Sequence, residues 1–299
     1  MWMYLGLLAA LFLGLHNLCK KHAVRNNEVY GVLLGTITAG FLVLLPIFLG
    51  SLWTPETMQN LQLMVNPVPA KVHGYILIKS MIMASSWVLA YQALKHLPIT
   101  IVTPIRSAGP FFTFLGAILI YQERPNAFQW IGFFLIILSV FLYSQIGKKE
   151  GIIFKSNKWI YAIIAATFLG ASSGLYDKFL IQSLTLNPPT LQFWFCFYTM
   201  LLVGLIVLIK YKNTSSSNLS FNWRWSIPAV GVLLQFADYF YFKALQDPEA
   251  LIMLLSAIKR SQLLIAVLLG GVLFKEKNKR KKLVPLCGVL LGVFLILYS

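Results

Sequence analysis

Three basic residues lie inside two otherwise apolar stretches of the chain. Arg106 lies between Pro104 and Pro110, and Lys259, followed directly by Arg260, comes 153 positions later. Ionisable residues inside membrane spans are costly and are candidates for function. Neither stretch contains a carboxylate, so the three cations favour a ligand that carries carboxylate or phosphate. The alternative is that they pair with acids or carbonyl groups and hold the molecule together.

Acidic and imidazole side chains in apolar stretches suggest proton chemistry. Asp238 lies in the segment Gln235–Tyr241, and His16 lies in the first apolar stretch. A membrane carboxylate can relay protons, and histidine titrates near neutral pH, so both are candidates for proton coupling. The alternatives are a salt bridge from Asp238 to a nearby lysine and a hydrogen-bonded core histidine. Asp177, which is followed by a lysine, is interpreted as structural.

Aromatic residues near these charges are candidate substrate contacts. Trp87 and Tyr91 are four positions apart and share one helical face, while Tyr176 and Tyr239 adjoin Asp177 and Asp238. The small and hydroxylated residues around them are also typical of packing between membrane helices, which is the alternative role for most of this set.

The composition indicates the elements that must position these side chains. The 299 residues are 58% hydrophobic and 11% charged, with a mean hydropathy of +0.74, whereas soluble domains carry about 25% charged residues. This excludes soluble globular, disordered and disulfide-rich proteins and indicates a polytopic membrane protein. The sequence shows no metal-ligand cluster, nucleotide-phosphate loop or catalytic triad, so we expect no enzyme activity, cofactor or metal. The net charge of +16 is attributed to cytoplasmic loops rather than to nucleic-acid binding.

Hydropathy predicts an all-α integral membrane fold with ten transmembrane helices, because each span needs about 20 apolar residues. The predicted spans are 2–24, 30–53, 73–95, 98–121, 126–146, 158–181, 189–210, 223–245, 249–274 and 283–299.

Basic residues segregate to one side of this arrangement. Connections after the odd-numbered spans hold 17 Lys and Arg, and the other side holds only Lys71, Arg124 and Lys178. The positive-inside rule makes the first side cytoplasmic and places both termini outside. Short loops and the absence of a targeting extension favour a bacterial inner (plasma) membrane over a eukaryotic endomembrane.

Three short strings recur in order along the chain. Residues 9–14 recur at 165–170, 91–94 at 242–245, and 121–124 at 274–277. Five spans per half place the second half upside down in the membrane, as in secondary transporters with inverted repeats. The predicted units are 1–147 and 158–299, joined by a linker at 148–157. Glu123 and Glu276 then end corresponding helices on opposite sides of the membrane. We interpret both as structural, pairing with neighbouring cations or capping a helix.

Several of these residues together resemble the drug/metabolite transporter superfamily, and most closely its ten-helix EamA-like branch. They are Ala93, Leu94, Pro104, Pro110, Glu123, Gly132, Glu276, Gly288 and Gly292. The resemblance implies the five-plus-five fold and export of amino acids or other metabolites. Lys259–Arg260 is also similar to the Lys-Arg pair of plastid sugar-phosphate and nucleotide-sugar translocators, which implies a phosphate-binding role for these two residues.

The favoured hypothesis is a secondary active transporter of small polar metabolites that works by alternating access, with an anionic substrate favoured. Its partners are the small-molecule substrate, the lipid bilayer and either a coupling proton or an exchange substrate. The alternatives are an EamA-like amino-acid or metabolite exporter and a transporter of sugar phosphates, nucleotide sugars or a lipid-linked carrier. A membrane scaffold or sensor that transports nothing is the alternative outside transport.

Overall fold

The structure of the chain is a computed structural model. It describes residues 1–25, 27–97, 102, 105–106, 108–145, 157–213, 221–262 and 279–298. All regular secondary-structure elements in these ranges are helices, so the fold is an all-α membrane fold. The linker 148–157, apart from Asn157, and Glu276 lie outside the described residues.

Most of the described helices lie within a few residues of the predicted spans. The described helices are α1 (Trp2–Val24), α2 (Val29–Trp53), α3 (Pro55–Asn60), α4 (Ala70–His96), α5 (Gly109–Tyr121), α6 (Ala127–Gln145), α7 (Lys158–Lys178), α8 (Pro188–Asn213), α9 (Ser226–Leu245), α10 (Ile252–Ile258) and α11 (Lys279–Leu297). Among them, α5 begins at Gly109 instead of 98, and α10 as described covers only part of the predicted span 249–274. A π-helical turn, Phe179–Ser183, continues α7, and a 3₁₀ turn, Lys259–Ser261, continues α10. The short helix α3 is an addition to the sequence prediction.

Polar side chains begin several of these helices. Glu28 accepts a hydrogen bond from the Gly31 amide at the start of α2, and Asn157 accepts one from the Trp159 amide, at 3.0 Å, at the start of α7. Such caps satisfy amide groups that have no partner within the helix. They explain why these helices begin where the apolar runs do.

Five described helical segments are long and apolar enough to cross a membrane. They are Trp2–Val24, Val29–Trp53, Ala70–Ala90, Lys158–Ser183 and Pro188–Lys212. Gly109–Tyr121, Ala127–Leu142 and Cys287–Leu297 are shorter apolar helices. The number of spans, ten, stays a prediction.

Several contacts between helices have a counterpart in which each helix is replaced by the corresponding helix of the other half. α1 packs on α9, and α4 packs on α7; α2 packs on α9, and α4 packs on α8. The contact of α5 with α7 likewise matches that of α10 with α1. Three other contacts, α2 with α8, α5 with α10 and α6 with α11, each join a helix to its counterpart. Contacts such as α8 with α9 and α6 with α10 are described without a matching pair, so the symmetry of the described packing is partial.

Glycines allow two of these helix pairs to approach closely. A Cβ atom on Gly132 of α6 would lie 2.6 Å from the Gly292 carbonyl oxygen of α11. A Cβ atom on Gly231 of α9 would lie 2.2 Å from the Thr36 carbonyl oxygen of α2. Both distances are too short for any side chain, and small residues at helix crossings give this packing in membranes. The resulting bundle surrounds a central cavity.

Candidate functional site

The central cavity has two lobes that share a neck. The first lobe, about 240 Å³, extends past Lys79 and Asp238 to Lys20 near the end of α1. The second, about 210 Å³, extends to Arg260 beside α5. Arg106 and Lys259 line both lobes. Seven charged side chains among the described residues line the cavity: Lys20, Lys79, Arg106, Lys259, Arg260, Asp177 and Asp238. Five are basic and two acidic, so the lining carries an excess of three positive charges.

One ion pair crosses the first lobe. Lys79 of α4 donates to Asp177 of α7, and both side chains are almost fully buried. The Lys79 Nζ also lies 3.5 Å from Ser173 Oγ and 4.2 Å from the centre of the Phe195 ring. Because the two residues lie on helices from different halves, the pair joins the halves at the cavity.

The predicted anion-binding residues do meet in the cavity. Lys259 Nζ lies 3.7 Å above the centre of the Tyr241 ring, and the described residues include no acid within salt-bridge distance of it. Arg260 Nε is buried and has no hydrogen-bond partner among the described residues. The Arg260 guanidinium packs against Gly109, where a Cβ atom would lie 2.7 Å from Nη2. A buried donor without a partner costs free energy, so Arg260 is set up to receive an acceptor from a ligand.

The two proton-coupling candidates, Asp238 and His16, also line the first lobe, but they differ in their hydrogen bonding. Asp238 makes no hydrogen bond or ion pair with any described residue. His16 is buried, and its Nδ1 lies 3.1 Å from the Val230 carbonyl oxygen. A carbonyl oxygen only accepts, so Nδ1 donates this bond, and only Nε2 remains for proton exchange.

The aromatic candidates separate into different surroundings. Trp87 lines the first lobe. Tyr176 packs against Phe179, and Tyr239 packs against Phe240; neither is among the residues that line the lobes. Successive residues on a helix point about 100° apart, so each tyrosine turns away where its neighbouring aspartate faces the cavity. Tyr91 lies in α4, but its side chain is outside the described part of the structure.

Beyond the cavity, Glu123 forms a second buried ion pair. Its Oε1 accepts from Lys178 Nζ at 2.7 Å and from the Ile252 amide at 2.7 Å, and its Oε2 accepts from the Met253 amide at 3.2 Å. Lys178 also donates to the Ala250 carbonyl oxygen at 3.2 Å. We call this arrangement, Glu123, Lys178 and the backbone of 250–253, the Glu123 latch. Glu123 therefore caps α10, which Leu251 at its N-cap position cannot do with its own side chain.

Sequence reasoning missed Lys79 and misplaced Lys178. Lys79 is a lysine inside an apolar span, and the rule that identified Arg106 would have identified it as well. Lys178 was counted as a loop cation of the non-cytoplasmic side, but it is 8% exposed and contacts Glu123. Its partner lies 55 positions away, a distance that hydropathy does not reveal.

A larger concavity, about 850 Å³, lies on the outside between α5 and α6. Its described lining is apolar and includes Phe111, Trp130 and Phe134. It presents no charged group to a polar solute, which makes the central cavity the better candidate. No group of three or more His, Cys, Asp or Glu within the described ranges could hold a metal ion.

Comparison with known proteins identifies similar sequences along the whole chain. The model of the EamA-like transporter family matches residues 1–145 and 157–298. An uncharacterized transporter from Synechocystis is 22% identical over 259 residues, covering 78% of this chain and 73% of that protein. An uncharacterized protein from Methanocaldococcus jannaschii is 29% identical over 140 residues, covering 47% of this chain and 93% of that protein.

One solved crystal structure has the same overall fold. It superposes with a TM-score of 0.76 and covers 98% of this chain and 95% of its own, at 14% sequence identity. At this identity the likeness shows the fold alone.

Proposed function

Because the chain belongs to the EamA-like transporter family, and so to the drug/metabolite transporter superfamily, it is a multi-pass membrane transporter; we propose that it is a secondary active transporter of small polar metabolites that works by alternating access. We place its substrate in the central cavity and assign it negative charge. Arg106, Lys259 and Arg260 bind the anionic group, and Trp87 contacts the rest of the molecule. Asp238 carries the coupling proton.

The observation that carries this proposal is the buried Arg260 Nε, which has no hydrogen-bond partner in the described part of the chain and lies beside a described lining with an excess of three positive charges. Charges that hold a fold together have partners, as Lys79 and Lys178 do. A ligand with carboxylate or phosphate oxygens would supply the missing acceptors.

Two observations support alternating movement of two five-helix units, 1–147 and 158–299. Several of the interhelical contacts, including α1 with α9 and α4 with α7, match when the halves are exchanged. The archaeal relative is about 150 residues long, as 140 aligned residues cover 93% of it, so a protein of half this length exists. An inverted repeat places substrate at the interface of the halves, and the contact of Lys79 with Asp177 across that interface lines the cavity.

The size of the cavity favours small metabolites over the larger alternatives. The two connected lobes together hold about 450 Å³, near the lower end of the about 300–1,000 Å³ of sites for drug-sized ligands. A nucleotide sugar or a lipid-linked carrier would need a wider cavity. A scaffold without a substrate would instead have a filled core with every buried charge paired.

A specific observation favours the second candidate, an amino-acid or metabolite exporter. Asp238, which has no described partner, is suited to bind an ammonium group in the first lobe while Arg260 binds a carboxylate in the second. Under this alternative the substrate is a zwitterion and Asp238 touches it directly. His16, which bonds Val230, is then a core residue.

Thermal-shift measurements on purified protein test these proposals. Compounds that bind the folded state raise its melting midpoint by mass action. We expect phosphate- and carboxylate-bearing compounds to stabilise the wild type and to stabilise Arg260→Gln at least about tenfold more weakly, because a hydrogen bond to a charged group contributes about 1.5–3 kcal/mol. Arg124→Gln, which alters an exposed arginine outside the cavity, is the matched control.

The charge of the stabilising compounds separates the candidates. Stabilisation by zwitterions that is lost in Asp238→Asn would favour the exporter. Stabilisation by amines alone, equal in wild type and Arg260→Gln, would overturn the anion assignment.

The location in the cell is proposed from the distribution of charge. We place the protein in a bacterial inner membrane, with both termini outside the cytoplasm. The first lobe extends to Lys20, near the predicted cytoplasmic end of α1, which supports assigning this conformation to a state that faces the cytoplasm. Labelling of single cysteines near each terminus in intact cells checks the orientation.

A further inference from the structure

Two consecutive residues of α7 bind partners in two different places. Asp177 contacts Lys79, which lines the first lobe of the cavity. Lys178 contacts Glu123 in the latch, and neither of these two lines a lobe. Because successive side chains on a helix diverge by about 100°, one turn of α7 serves both sites. Any movement of this turn acts on the cavity and on the latch together.

The latch fixes the helix that carries the anion-binding residues. Glu123 follows α5 and accepts the Ile252 and Met253 amides at the start of α10. Lys259 and Arg260 lie in the 3₁₀ turn that continues α10. The latch thereby joins α5 of the first half to α7 and α10 of the second. These hydrogen bonds must break before the halves can separate at this end.

The turn after Lys178 has unusual backbone geometry. Residues Phe179–Ser183 form a π-helical turn, and Gln182 in it donates to the Leu245 and Asp247 carbonyl oxygens at 3.0 and 2.9 Å. π-helical turns are rare and are frequent at functional sites. Here the turn lies between the latch and the connection from α9 to α10, where a shift of α7 would be transmitted.

We propose that Asp177 and Lys178 couple occupancy of the cavity to release of the Glu123 latch, an inference that rests on the proposed function. A substrate anion competes with Asp177 for the Lys79 ammonium. Asp177 then moves with its turn of α7 and withdraws Lys178 from Glu123. The anion's differential affinity for the two states supplies the driving force, as any ligand-driven change requires. Asp177, Lys178 and Glu123 act here as positioning residues that do not touch the substrate.

Accessibility of a single cysteine in the latch measures its opening. Ala250 is fully buried and its carbonyl oxygen binds Lys178. The reporter is Ala250→Cys in a background whose native cysteines, Cys19, Cys196 and Cys287, are replaced. The readout is the rate of alkylation by N-ethylmaleimide in purified protein. We expect Glu123→Gln to raise this rate about tenfold, the effect of losing about 1.4 kcal/mol from hydrogen bonds to a charged group. Arg124→Gln, the exposed neighbour, leaves the rate at the parent value.

The coupling is tested without any ligand by breaking the distant pair. Lys79→Met removes the partner of Asp177 and touches no group of the latch. We expect it to raise the alkylation rate at position 250 at least threefold. A rate equal to that of the parent would overturn the coupling. Size-exclusion chromatography verifies folding, and Lys79→Gln, which keeps a hydrogen-bond donor, takes its place should Lys79→Met not fold.

Inorganic phosphate serves as the probe for the ligand-driven step. We expect phosphate to raise the alkylation rate in the parent and not in Asp177→Asn, while thermal shift still detects phosphate binding in both. An equal rise in both proteins would contradict the relay through Asp177. Failure of the proposed function has a different signature: phosphate and other anions stabilise nothing, while Lys79→Met still raises the alkylation rate.

Discussion

Two glutamate–lysine pairs lie at opposite ends of the bundle and differ in what they hold. Glu28 accepts from the Gly31 amide of the helix it precedes and from Lys210 Nζ at 3.2 Å, with the Lys210 side chain 29% exposed. Glu123 accepts from Lys178 at 2.7 Å, with that lysine side chain 10% exposed, and caps a helix that begins 129 positions later. Both pairs therefore join the two halves, but Glu28 caps the helix that directly follows it and its lysine is partly exposed, whereas Glu123 caps a helix of the other half and its lysine is buried.

The connections around each pair differ in the same way. At the Glu123 end, the Asn66 amide donates to Thr190 Oγ1 at 2.8 Å, and Asn187 donates to the Met64 carbonyl oxygen at 2.6 Å; both bonds are partly buried. At the Glu28 end, Asn27 and Asn222 exchange two hydrogen bonds that are exposed to solvent. The comparison teaches that one end of this conformation is closed by buried polar contacts and the other is held by bonds that water can replace.

Removing each lysine tests this difference most strongly. Lys178→Met leaves Glu123 buried without its counter-charge and should lower the free energy of unfolding by about 3–5 kcal/mol. Lys210→Met should lower it by less than about 1 kcal/mol, because a partly exposed pair is screened by solvent. Melting midpoints in one detergent check both variants. Equal losses would show that burial does not distinguish the two pairs.

Double-mutant cycles should measure the coupling energy within each glutamate–lysine pair and so separate it from the effects of the single substitutions. The cycle of Glu123→Gln with Lys178→Met should give a coupling energy of about 2 kcal/mol, within the range for contacting residues. The cycle of Glu28→Gln with Lys210→Met should give about 0.5 kcal/mol or less. The free energy of unfolding of the six variants and the wild type is measured by denaturation in the same detergent. A coupling energy near zero at Glu123 would mean that its amide contacts, not Lys178, hold it.

Loss of the Glu28 cap should have a modest and local effect. Glu28→Ala removes the side chain that accepts the Gly31 amide and should destabilise by about 1 kcal/mol, as for other N-caps. Glu28→Asp, a good N-cap residue, should recover part of this loss. Proteolysis near the start of α2 follows the local opening. A loss of stability as large as that of Lys178→Met would contradict the modest contribution expected of Glu28.

Salt should produce the smallest difference. At 1 M salt the screening length falls to about 3 Å, which weakens exposed pairs and leaves buried ones nearly unchanged. The stability difference between wild type and Lys210→Met should shrink by a few tenths of a kcal/mol, and that of Lys178→Met should persist. Melting midpoints measured in about 0.05 M and about 1 M sodium chloride give the comparison. A Lys178→Met difference that vanished in salt would indicate that solvent reaches the latch.

Much of the fold could be predicted because hydropathy is a local property. The starts and ends of α1, α2 and α9 agree with the predicted spans within about three residues, the usual uncertainty of such boundaries. The family assignment is confirmed by a model that matches both halves. The short helix α3 was not predicted, since it lies in a connection without a long apolar run.

The residues of the candidate site could be predicted from their type, but the partner of each charged side chain could not. Arg106, Lys259 and Arg260 line the cavity, as their place inside apolar stretches suggested. One alternative from the sequence was a salt bridge from Asp238 to a nearby lysine, but Lys243 of the same helix donates to Gln62 and no described residue pairs with Asp238. Partner choice depends on distances between helices, which no local pattern contains.

The sequence by itself determined that this chain is a helical membrane protein with charges buried in its spans. That information is local, because a charge in an apolar run is costly wherever the run lies. Only the tertiary structure decided which charges neutralise each other and which remain open: Lys79 with Asp177 and Lys178 with Glu123, against Arg260 and its unpartnered Nε. Electrostatic and hydrogen-bond energies change over a few ångströms, so the packing of distant helices fixes them.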